Sequence, residues 1–286
     1  MKTFLDCVPC LLQQALHSVR ATTSDKQVHE AIVRTALAAI AGMDFAQPPA
    51  VMAQGIHRRI REATGNADPY AQEKRRLNDM ALELYPAFSR RIGQAADPLE
   101  LAVRLAIAGN IMDLAVKSHL DETEMLASID DALQSSFDCP VAEFSRAVET
   151  AQDILYLADN AGEIVFDRLL QERLPRDKLT VAVRGRPVIN DATREDAEYV
   201  GLAEVARIID NGSDAPGTIL ADCNAEFRRH FEQADLVISK GQGNYETLAS
   251  CGRPIWFLLR VKCPIIARDL QCPVGTAVLR HSSCRV

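Results

Sequence analysis

Apolar and polar positions follow two rhythms along this chain. Residues 1 to about 150 read as helices joined by short polar turns. Asp68-Pro69 and Asp97-Pro98 both set a capping side chain ahead of a proline suited to the first helical position, and Glu100 completes a capping box with Asp97. The segment LELAVRLAIAGNIMDLAV, from Leu99 to Val116, is apolar over more than one face, which predicts a central helix of this half. Gly109, Asn110 and Asp113 lie along it, and polar groups in such a helix are expected to be satisfied within the fold.

From about residue 151 short apolar runs take over: ILYLA (154–158), LTVAV (179–183), VARII (205–209), ADLVIS (234–239) and PIWFLL (254–259). The stretches EIVFDRLLQERL and GTILADCNAEFRRHFEQ between them suit crossover helices. Strands alternating with helices predict an α/β fold, a parallel sheet with helices on both faces. The expected division is a helical region over 1–150 and an α/β domain over 151–286.

Composition narrows the function classes. With 48% hydrophobic and 25% charged residues in 286, the chain has a globular balance and ample length for a core. A formal net charge of -7 speaks against sequence-independent nucleic-acid binding, which needs a basic face. No apolar segment reaches the roughly 18 to 20 residues that span a bilayer. MKTFLDCVPC places Asp6 and two cysteines where a signal peptide would be apolar, so no membrane partner and a cytoplasmic location are expected. The eight cysteines are scattered, unlike a small secreted disulfide scaffold.

The candidate chemistry lies at the strand ends, where open parallel sheets bind ligands. Asp159-Asn160 follows the first run, Arg184-Gly185 and then Asn190-Asp191 the second, Asp210-Asn211-Gly212 the third, and Lys240 to Asn244 the fourth. Any one of these clusters suits a turn or a helix cap. Together they predict a hard-oxygen site for a divalent cation such as Mg²⁺ or Mn²⁺ beside an anion clamp, with helix N-termini after Gly162 and Gly243 adding donors. Arg184 is placed to bind a second anionic group. Glu163 and Glu246, each after a glycine turn, read first as first-turn helix charges and second as site contacts. A Walker loop fails for want of a lysine after Gly217, and Glu246 stands where a dinucleotide fingerprint needs its third glycine. Serine-hydrolase and zincin motifs are absent.

DNAGEIVFD (159–167), VRGRPVINDAT (183–193) and KGQGNYETL (240–248), with CVPC (7–10), GNADPYAQEK (65–74) and AGNIMD (108–113), resemble the DUF89 family. These are the damage-control phosphatases with an ARMT1-like metal-binding domain, here the prokaryotic branch with an N-terminal CxxC. The resemblance implies a Rossmann-like core behind a helical N-terminal region, and a metal-dependent phosphatase of small phosphorylated metabolites such as sugar phosphates. It implies metal ligands Asp159, Asn160 and Asp191 and a phosphate-contacting Lys240; Asn190 and Asn244 match polar positions of the same motifs. The expected cofactor is a divalent metal, Mn, Mg, Co or Ni, and Asp159 is the first candidate for general base.

The CVPC pair should open the first helix, with a packing role placed ahead of a metal or disulfide role and redox catalysis last. A zinc site there would need two more soft ligands, which Cys263 and Cys272 supply only if the C-terminal end folds back onto the N-terminus. The histidines His17, His57, His230 and His281 show no ligand spacing and read as surface or packing residues. The rival from another class is a nucleotide- or S-adenosylmethionine-binding module or methyltransferase on the same kind of core. Such a site needs an open glycine-rich first loop and no divalent cation, whereas DNAGE offers a carboxylate and an amide.

Overall fold

The computed structural model describes residues 1–112, 122–134, 137, 138 and 140–282. Asp113, Cys139 and Cys284 lie outside them, as does the end of the Leu99 to Val116 segment. Helices α1 (Cys7–Thr22), α2 (Lys26–Ala41) and α3 (Pro49–Thr64) open the chain, followed by α4 (Ala71–Gly93), α5 (Pro98–Ala108) and α6 (Glu122–Gln134). Then come β1 (Phe137–Asp138), α7 (Val141–Thr150), β2 (Ile154–Leu157), α8 (Glu163–Gln171), β3 (Leu179–Val183), α9 (Arg194–Tyr199) and β4 (Arg207–Asp210). The chain continues through α10 (Ala225–Gln233), β5 (Leu236–Lys240), α11 (Gln242–Leu248), β6 (Trp256–Arg260), α12 (Pro264–Leu270) and β7 (Ala277–His281).

The α/β architecture expected from the alternating pattern is present. The sheet order is β1-β7-β6-β5-β2-β3-β4, and the strands from β6 to β4 are all parallel. Two strands were not anticipated. β7 runs antiparallel to β6, and the two-residue β1 pairs with β7 from within the region assigned to helices. Neither carries a long apolar run, since Arg280 and His281 end β7 and β1 is too short to leave a pattern. β4, β5 and β6 each begin two residues later than their apolar runs, because the first residues of each run belong to the connection that feeds the strand.

Alternation along the strands separates two cores. Ile154, Tyr156, Val181 and Ile238 pack with α4, α5 and α8, whereas Leu155, Leu157, Ala182 and Val237 pack with α10, α11 and α12. The first core therefore joins helices from before residue 150 to strands from after it. Helices α1 to α3 close on a core of their own. Among the described residues no helix is long and apolar enough to cross a membrane.

Local signals explain the helix ends unevenly. Asp97 caps α5 as expected, its side chain accepting from Glu100 N at 2.9 Å with Pro98 at the first position, but the Glu100 carboxylate takes Arg104 instead of closing a capping box. Asp68 does not start α4. It holds the turn before the helix by accepting from Tyr70 N and pairs with Lys74 at 2.8 Å, so the helix begins at Ala71.

Gly109, where α5 ends, marks a tight approach of α5 to α8. An added Cβ would stand 2.7 Å from Phe166 Cβ on α8. Gly109→Ala is expected to destabilise the fold by about 1–3 kcal/mol through overpacking. The check is the urea midpoint, which should fall; an unchanged midpoint would mean that α5 and α8 are not held this closely.

Candidate active site

β2 and β5 are neighbours, yet the chain leaves β2 towards β3 on one side and reaches β5 on the other. This is a switch point, where a crevice opens outside the carboxyl ends of the strands. β2 delivers Asp159 and Asn160 to it. After β3 the chain folds back, pairing Asn160 with Asp191 in an antiparallel bridge and Arg184 with Thr193 in a parallel one. Ala161 N donates to Asn190 O at 2.9 Å and Ala192 N to Asp159 O at 2.8 Å, so residues 190–192 extend the sheet beside β2. Backbone pairing thus brings Asp159, Asn160, Asn190 and Asp191 together.

Two contacts hold this edge in shape. Gly241 has φ +76, and a Cβ there would stand 1.8 Å from Asp159 Oδ2, so only glycine lets the carboxylate lie against the backbone after β5. Ile189, a β-branched residue at φ 46, precedes Asn190 and packs with Val188 and Tyr70. The helical region anchors the same loop, since Arg61 donates to Pro187 O at 2.9 Å and pairs with Asp214.

Arg184 lies between the two carboxylates. It is 2% exposed, with Nε donating to Asp191 Oδ2 at 2.6 Å, Nη2 to Asp159 Oδ1 at 3.3 Å and Nη1 to Asn244 Oδ1 at 3.2 Å. Asn244 in turn donates to the carbonyls of Ala158 and Lys240, which ties α11 to the ends of β2 and β5. Six expected site residues therefore share one edge: Asp159, Asn160, Arg184, Asn190, Asp191 and Asn244.

Lys240 belongs to a different layer. It is fully buried and donates to Ala106 O at 2.8 Å, Glu163 Oε1 at 2.6 Å and Asp167 Oδ1, so its three N–H groups all have partners within the fold. Burial alone would lower its pKa, but Asp167 and Glu163 outweigh that and hold it above the ordinary lysine range. Burial pushes Asp167 up to about 7, with Lys240 opposing the shift and Glu163 adding to it.

Sequence reasoning missed this layer. Glu163 does start α8, but it is a buried partner of Lys240, Asn110 and Asn160 rather than a simple first-turn charge. Asp167 was hidden inside a crossover helix. Its signal was a carboxylate four residues after Glu163, on the same apolar face. The cluster Asp210-Asn211-Gly212 is structural: Asn211 Oδ1 accepts from Gly185 N and Ser213 N, and Asp210 accepts from Gly212 N. Gly243 lies within α11 rather than before it.

Whether these residues suit a divalent cation can be judged from charge and unmet bonds. Among the described residues, Asp159, Asp191, Glu163 and Asp167 face two cations, Arg184 and Lys240. The buried excess is two negative charges, or one with Asp167 protonated. Among the described residues, Asn190 Nδ2 at this edge and Asn110 Oδ1 behind it are buried without a hydrogen-bond partner, so each has room for a further polar group. Among the described residues no three His, Cys, Asp or Glu side chains form a metal cage. The donor set that fits is two carboxylates supplemented by amide oxygens, suited to a hard cation that keeps waters.

The N-terminal cysteines open α1 as expected, and the C-terminal segment does fold back. Met1 N donates to Glu246 O, Gln242 Nε2 reaches Cys263 Sγ at 3.5 Å, and burial together with Cys263 and Glu246 raises the Cys10 pKa. Among the described residues, none of the six cysteines is in a disulfide. His57 is a buried packing residue.

The damage-control phosphatase ARMT1-like domain family matches residues 3–278. A protein of Archaeoglobus fulgidus named damage-control phosphatase is 36% identical over 280 residues, covering 96% of this chain and 97% of that protein. One of Pyrococcus horikoshii with the same description is 32% identical over 292 residues and the full length of both. An uncharacterized Methanocaldococcus jannaschii protein is 35% identical over 289 residues, covering 96% of this chain and 93% of that one. The crystal structure of a DUF89 family protein from Pyrococcus horikoshii matches with a TM-score of 0.89 at 31% identity over 99% of each chain.

The raised Asp167 pKa has a measurable consequence. Native Asp167 keeps a proton that the unfolded chain releases near its ordinary value of 3.8, so this group makes stability fall as pH rises from about 4 to about 7. Asp167→Asn should flatten that part of the profile in urea titrations. A slope identical to the unsubstituted protein would mean that Asp167 is ionised in the fold.

Proposed function

The chain belongs to the damage-control phosphatase ARMT1-like domain family, and from that premise we propose that it hydrolyses phosphate monoesters of small metabolites, sugar phosphates among them, with a divalent cation, Mn, Mg, Co or Ni. The observation that carries this is the Asn160 to Asp191 bridge, which sets two carboxylates against one another across a single arginine. Asp159, Asn160 and Asp191 would hold the cation. When bound, it supplies Lewis-acid stabilisation of charge on the phosphoryl oxygens, the main obstacle in monoester hydrolysis.

The chain's own groups divide the remaining tasks. Asp159, at 8% exposed, is the most open of the edge carboxylates and amides and serves as general base for the attacking water. Asn190 Nδ2, buried and without a partner among the described residues, donates to a phosphoryl oxygen. Arg184 compensates charge between the carboxylates and is held by Asn244 and Thr218. Lys240 supports the edge from behind, a different role from the phosphate contact that the family resemblance implies. In this reading residues 1–150 form a helical domain covering the edge and 151–286 the catalytic domain. The net charge of -7 favours a small metabolite over a nucleic acid.

Hydrolysis of a generic aryl phosphate should therefore appear with Mn²⁺, Co²⁺, Ni²⁺ or Mg²⁺ and vanish with chelator. Asp159→Asn should reduce turnover roughly 100-fold or more, the scale expected for losing a group that acts on the transition state. Near-normal turnover in the folded variant would reject the assignment, and chelator-insensitive protein that binds S-adenosylmethionine would favour a methyltransferase instead.

A further inference from the structure

The Asn160 side chain makes both of its hydrogen bonds through nitrogen. Nδ2 donates to Asp159 Oδ2 at 3.1 Å and to Glu163 Oε2 at 3.1 Å. Ionised carboxylates only accept, so the amide cannot flip without turning its oxygen against two negative oxygens. Its Oδ1 is thereby directed away from both. An amide ligates a hard cation through that oxygen alone, so whatever fixes the flip also creates the ligand.

Glu163 is built to fix it. The carboxylate is fully buried, and its two oxygens have separate duties. Oε1 is held by Lys240 Nζ at 2.6 Å, while Oε2 receives Asn110 Nδ2 at 2.7 Å and Asn160 Nδ2 at 3.1 Å. Lys240 holds this carboxylate from inside the protein, at the oxygen that Asn160 does not use. Asn110, from the far side, keeps Oε2 in place.

We propose that Glu163 is a positioning residue for cation binding: pinned by Lys240 and Asn110, it sets the Asn160 amide with Oδ1 turned towards the cation. The inference rests on the reading of Asn160 as a ligand. It assigns Lys240 an indirect role, in which its loss acts first on the cation and only then on phosphate.

The test is Mn²⁺ binding to the full-length protein by titration calorimetry, with circular dichroism to verify the fold. Glu163→Gln replaces an acceptor by a group that can also donate, so Mn²⁺ affinity should fall roughly 10- to 100-fold, the usual effect of losing an outer-shell partner. Asn160→Asp has two equivalent oxygens and no flip to set. In that background the added Glu163→Gln change should cost less than about threefold, because the positioning task is gone. Equal losses in both backgrounds, or wild-type affinity in Glu163→Gln, would overturn the proposal. Wild-type affinity in Asn160→Ala would instead refute the ligand reading beneath it. Should Glu163→Gln alone fail to fold, the Lys240→Met, Glu163→Gln pair removes the ion pair as a neutral exchange and carries the same expectation.

Discussion

A lysine with no exposure to water governs this structure. Taking an ammonium group out of water costs several kcal/mol unless charge and hydrogen bonds replace the solvent. Lys240 meets that demand with Glu163, Asp167 and the Ala106 carbonyl, groups 77, 73 and 134 residues away in the chain. The end of β5, the first turns of α8 and the end of α5 are therefore fixed together. Such a cluster adds little net stability compared with an apolar packing. Its effect is on arrangement, because few placements of α8 satisfy all the donors at once.

The polar edge at the switch point is built outward from that anchor. Glu163 reaches from the buried layer to Asn160, and Asn160 is paired through the backbone with Asp191. Arg184 then binds both edge carboxylates and, through Asn244, returns to the backbone of Lys240. Buried charge alternates in sign from the core to the crevice and ends with carboxylate in excess. That excess, at a switch point of a parallel sheet, makes a divalent cation a physically reasonable guest and links the fold to the phosphatase family to which the chain belongs.

Much of this was legible in the sequence. The runs at 154–158 and 179–183 gave their strands to within a residue, and the alternation of strand and helix gave the fold class, because buried parallel strands are written as continuous apolar segments. The residues at the strand ends were legible for the same reason, since polar groups there break those segments. β7 was not, because a strand ending in Arg280 and His281 carries no such run. The Glu163 and Asp167 pairing was hidden for a different cause: an ion pair between residues over 70 positions apart leaves no local period. A lysine at a strand end therefore read as a ligand contact, and its carboxylate partners in α8 went unseen.

The direct measurement of the central claim is an anomalous difference map from crystals grown with Mn²⁺. The account predicts one strong peak within coordination distance of oxygens of Asp159, Asn160 and Asp191, with Lys240 still bound to Glu163. A protein that binds Mn²⁺ elsewhere, or shows no peak at this edge at saturating Mn²⁺, would contradict it.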